Sequence, residues 1–110
     1  MLNNIKTNQL LIDNGVWMPL LQSRFLIASV ESKRFKQAII DNGQKALTED
    51  VLIGIMAKTI LLDWSMVKDP QGNDLAYSND MAAIALKTNE SVKSFVDRIS
   101  TSIGLYCEQK

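Results

Sequence analysis

The stretch that decides the fold is Thr48–Val67, TEDVLIGIMAKTILLDWSMV. Thr48 is a good N-cap, and Glu49 and Asp50 place negative charge in a first helical turn, where the helix dipole favours it. From Val51 to Val67 only Lys58, Thr59, Asp63 and Ser65 are polar, so apolar side chains surround most of a helix drawn over the whole run. A helix apolar nearly all round is buried, inside its own domain or against another subunit. The reading is therefore one central helix to about Val67, with self-association as the corollary. The run is broken by Lys58 and Asp63 and is shorter than the ~20 apolar residues that span a bilayer. It reads as a core helix, with no membrane partner.

On the N-terminal side, Asp13-Asn14-Gly15 is a turn signal. Val16-Trp17-Met18, stopped by Pro19, and Arg24–Ala28 are short runs rich in β-branched and aromatic residues, which reads as a hairpin or meander. Pro19 places the first on an edge. Ser32 caps a helix whose stripe is Phe35, Ala38, Ile39 and Ile40, ended by Asn42-Gly43. On the C-terminal side, residues 68–74 form a polar loop. Ser78 caps a short helix carrying Met81, Ile84, Ala85 and Leu86. Thr88-Asn89-Glu90 opens a last helix to about Tyr106, with the stripe Val92, Phe95, Val96, Ile99 and Ile103, and Lys93 and Asp97 as an i, i+4 pair. The expected class is α+β, mainly α: a short N-terminal β-hairpin or meander followed by about four helices, in one domain over residues 1–110.

Composition removes most chemistries. There are 110 residues, 12 Lys+Arg against 12 Asp+Glu, and no histidine. Zero net charge argues against nucleic-acid binding, since phosphate neutralisation supplies most of that affinity. Without histidine there is no Ser-His-Asp triad and no His-bearing zinc site. The single cysteine, Cys107, allows neither an intrachain disulfide nor a two-cysteine metal site, and reads as a small half-buried side chain in a reducing compartment. The five glycines stand apart and form no phosphate loop. The 69–74 loop holds Asp69, Gln71, Asn73 and Asp74, but its glycine falls at the fourth position and no glutamate at the twelfth, so it reads as a solvated turn and not a calcium loop. Asp63 is the one acid expected to be partly buried. No cofactor, no metal, no small-molecule substrate and no enzymatic activity are expected. Trp64 and Tyr77 flank the 69–74 loop and are read first as core residues, second as interface anchors. Arg24 and Arg34 complete the set of candidate partner contacts.

The order of these segments resembles the tail assembly chaperones of long-tailed phages and prophages. Gly15-Val16-Trp17, Arg24-Phe25-Leu26-Ile27-Ala28 and Ser32-Lys33-Arg34-Phe35 are similar to that family's N-terminal pattern. Leu61-Leu62-Asp63-Trp64, Asp69-Pro70-Gln71-Gly72 and Leu75-Ala76-Tyr77-Ser78 are similar to its central one, and Phe95–Ile99 falls in a matching C-terminal helix. The likeness spans residues 15–105. It implies a non-enzymatic protein that associates with the tape measure protein, with the major tail protein as a further partner, and keeps the former soluble while the tail tube polymerises. It also implies a homo-oligomer, a place in the bacterial host cytoplasm and absence from the mature virion. The competing expectation is a small virion structural protein, a head–tail joining or tail completion factor.

Overall fold

The computed structural model describes residues 7–107. The N-terminal helix α1, Gln9–Asn14, is capped by Asn8, whose side chain accepts from the Leu10 and Leu11 amides, and it ends at Gly15. Asp13-Asn14-Gly15 is thus the end of a helix. Gly15 has φ +89°, and a Cβ there would sit 3.1 Å from the Ile27 carbonyl. Only glycine meets both demands without strain. Strands β1, Val16–Leu20, and β2, Ser23–Ile27, form the expected hairpin in the register Val16↔Ile27 to Leu20↔Ser23. The strand β1 runs through Pro19 instead of stopping there. The two-residue turn makes Leu20↔Ser23 the closing hydrogen-bonded pair, so by alternation Pro19 falls at a non-bonded position. Its missing N–H lies on the free edge, and the ladder loses nothing.

The helix α2, Lys33–Asn42, opens on Ser32, whose Oγ accepts from the Phe35 amide. Its stripe is half-buried at Phe35, Ala38 and Ile39, while Ile40 lies outside it, exposed to solvent. The helix α3 begins where Thr48 sets it but covers only Glu49–Thr59. Residues Leu61–Ser65 are β3, paired antiparallel to β2, so the sheet has three strands in the order β1-β2-β3. The expected helix to Val67 is therefore overturned, and with it the continuous apolar cylinder on which self-association was argued. The cause is long-range. An apolar run is ambiguous between helix and strand until a partner is available, and the central strand β2 supplies one. A bulge hides the change of period. Phe25 pairs with Trp64, Leu26 with Asp63 and Ile27 with Leu61, leaving Leu62 as the extra residue. Leu61 and Trp64 both face the core, three apart, which is a helical spacing written into a strand.

The helices α4, Asn79–Thr88, and α5, Glu90–Ser100, meet at Asn89, which ends the first and caps the second. The expected last helix to Tyr106 stops at Ser100. The hydroxyls of Ser100, Thr101 and Ser102 bond back to the Asp97 and Arg98 carbonyls and compete with helix propagation. A 3-10 turn, Ile103–Tyr106, follows.

The core lies between the inner face of the sheet (Phe25, Ile27, Leu61, Trp64) and helices α3, α4 and α5, which contribute Ile53, Met56, Ala82, Leu86, Phe95, Val96 and Ile99, with Ile60 buried at the junction of α3 and β3. The segment 28–30 ties the parts together. Its three successive amides donate to three distant carbonyls: Ala28 to Ile60, Ser29 to Ile12 and Val30 to Ser100. The Tyr106 hydroxyl, fully buried, donates to the Ile27 carbonyl at 3.0 Å. Cys107 is buried rather than half-buried. No helix among the described residues is long and apolar enough to cross a membrane.

Candidate functional site

The element that carries Trp64 also walls an apolar recess around it. Between β3, the loop after it and α4 lies a groove of about 460 Å³. Buried Phe25, Trp64 and Val92 form its floor, and Met81, Ile84 and Leu75 rise around it. Ile84, on α4, is half-exposed at its mouth. Few polar groups reach the groove: Lys68, Asp69, Thr88 and Asn89. Its size lies within the range of a binding pocket, and its lining suits an apolar side chain.

The loop wall is held by its own hydrogen bonds. The Trp64 indole N–H donates to the Leu75 carbonyl at 2.8 Å, and the Leu75 amide donates to the Val67 carbonyl at 2.8 Å. The Asp69 carboxylate accepts from the Gln71 and Asn73 amides, both at 2.9 Å. That carboxylate serves the loop's own backbone, as an Asx turn does. No group of three acidic, Cys or His side chains able to hold a metal occurs among the described residues. Asp63, half-buried on β3, accepts from the Trp64 amide at 2.8 Å.

The four expected contact residues separate. Trp64 and Tyr77 come together edge to face, ring centroids 5.2 Å apart. Trp64 is buried in the core, and Tyr77 is half-buried behind it, its hydroxyl donating to the Leu61 carbonyl at 2.6 Å. Burial, and then the charge of Asp63, holds the Tyr77 hydroxyl above its usual pKa. Arg24 lies on the opposite face of the sheet, its guanidinium 5.8 Å from the Trp17 ring. Arg34 reaches from the start of α2 to the Asp13 carbonyl at 2.7 Å and fastens α2 to α1.

Sequence reasoning missed the exposed part of this surface. Leu21, at the hairpin turn, and Met66, after β3, are both large, apolar and at positive φ, +56° and +59°. They are 96% and 61% exposed, and they line one shallow recess beside Lys68. Of the two turn residues only Leu21 has positive φ, the type II′ pattern that normally takes glycine at this position. A non-glycine residue here costs on the order of 1–2 kcal/mol. The one sequence signal available was a two-residue loop without a turn former between strand-like runs.

A search of curated proteins and a search of solved structures each find no match. A family model described as YdaY prophage protein matches residues 22–110, from the hairpin turn through every later element. That span includes the groove, α4, α5 and Met66. The phage and prophage setting implied by the sequence resemblance agrees with it. The chain belongs to the YdaY prophage protein family.

Proposed function

We propose that this prophage protein is a tail assembly chaperone, a non-enzymatic protein that binds the tape measure protein and keeps it soluble while the tail tube forms. The observation that carries the reading is the open apolar groove over Phe25, Trp64 and Val92, with Ile84 at its mouth. A long helical client exposes apolar stripes until its partners cover them. A groove of this kind takes the apolar face of one such segment at a time, the helix-in-groove mode. Several copies along one client add avidity to weak single contacts. The order of segments over residues 15–105, similar to that of tail assembly chaperones, supports the same reading.

The test is co-expression with the tape measure protein of the same prophage and affinity capture from the soluble fraction. Wild type should raise the soluble client and retain it, and Ile84→Glu should lose most of it while remaining folded. If the client stays insoluble with wild type, the reading fails. Recovery of the protein in mature particles would place it in the tail structure instead.

A further inference from the structure

We infer that the free edge of β1 is a docking surface for an acidic peptide segment, bound in extended form as a fourth strand of the sheet. The strand β1 is an outer one. By the alternation that starts at the closing pair Leu20↔Ser23, its residues Val16, Met18 and Leu20 bond to β2. The Trp17 N–H and C=O and the Pro19 C=O therefore face away from the sheet, and none has a hydrogen-bond partner among the described residues. A strand laid alongside satisfies them, the strand-addition mode of peptide recognition. Beside β1, against the end of α5, lies a groove of about 530 Å³. Met18, Pro19, Phe95, Ile99 and Leu105 line it, and it suits the apolar side chains that such a strand turns inward.

Charge decides what that strand carries. Arg24 lies opposite Pro19 in the register and leans over β1, its guanidinium 5.8 Å from the Trp17 ring. Arg98 lines the groove on the inner side, 5.4 Å from the Phe95 ring. One cation thus stands on each face of the edge strand, and neither forms an ion pair among the described residues. No acidic side chain lines the groove. An added strand turns successive side chains to opposite faces, so two adjacent acidic residues on it meet the two arginines. A second copy of this chain would instead bring arginine to arginine and place two prolines in the new ladder, both unfavourable. This surface shares no lining residue with the groove over Trp64. Its test uses no tape measure protein, so it and the chaperone reading can fail separately.

The experiment is fluorescence anisotropy on the whole chain, with a labelled, end-blocked peptide of valine and threonine that carries two adjacent glutamates. Saturable binding is expected, weakened by added salt because exposed charges are screened. The same peptide with lysines in place of the glutamates should not bind. Arg24→Gln and Arg98→Gln, both at exposed side chains, should each weaken binding by about two- to fivefold and keep the wild-type circular dichroism. Pro19→Val gives the edge its missing donor and should tighten binding by about two- to tenfold, since one more backbone hydrogen bond forms. A peptide that does not bind wild type, glutamate and lysine peptides that bind alike, or arginine variants that bind like wild type would each overturn the proposal. A Pro19→Val variant that binds no tighter than wild type would overturn the strand pairing on which it stands.

Discussion

Leu21 shows backbone geometry overriding side-chain preference. It occupies a turn position suited to glycine, and its side chain contributes almost nothing to the core. Leu21→Gly should therefore stabilise the fold by about 0.5–1 kcal/mol, read as a higher denaturation midpoint. An unchanged or lower midpoint would show that the leucine has an internal contact. Gly15 is the reverse case. Gly15→Ala should cost about 1–3 kcal/mol, because the new Cβ meets the Ile27 carbonyl at a φ that L-residues avoid. Tyr106 couples stability to pH. Burial raises its pKa well above the ordinary 10.0. A raised pKa favours the protonated, folded form, so its contribution is complete below pH 10 and is lost as pH rises beyond it. Tyr106→Phe should lower stability at neutral pH by about 1–2 kcal/mol, leaving the Ile27 carbonyl without its donor. The same variant should show a flatter loss of stability above pH 10.

The elements differ in how legibly their ends are written. Helices α2, α3, α4 and α5 begin at Ser32, Thr48, Ser78 and Asn89, where the capping residues place them. A cap is a local signal: one side-chain oxygen meets an amide two or three residues on. Thr48→Ala should consequently cost about 1 kcal/mol by chemical denaturation, and Thr48→Asp little. Ends were harder. The step from α3 to β3 at Ile60 depends on β2, about 35 residues earlier, which no window of sequence contains. The bulge at Leu62 then gives Leu61 and Trp64 the spacing of a helix. The end of α5 was locally encoded after all, in the hydroxyl cluster Ser100-Thr101-Ser102, whose bonds to helix carbonyls oppose continuation. The stripe of α5 was fully legible from Val92 to Ile99. Ile103 lies beyond it, in the 3-10 turn, exposed.

For the whole molecule, a sheet covered by helices on its inner face positions two surfaces of different character. On the inner side, β3 and α4 part to leave the apolar groove. On the outer side, Trp17 and Arg24 stack in the open. Of the four residues first chosen as contacts, only Trp64 lines the groove, and it does so from a buried floor. Trp64→Ala should cost about 3–5 kcal/mol and so would report on folding before binding. Aromatic residues could be picked out from sequence, but which of them meets solvent depends on strand pairing. Half-exposed Ile84 is the cleaner probe of the surface.

The groove can be watched directly through Trp64. In a Trp17→Phe background Trp64 is the sole tryptophan, and its emission can be followed while a soluble fragment of the tape measure protein is added. A client seated in the groove changes the packing over an indole that is already buried. The expected result is a saturable change in emission intensity, abolished when Ile84→Glu is added to the same background. An emission spectrum that stays unchanged while the fragment binds, seen by an independent method such as calorimetry, would contradict the groove as the client's seat.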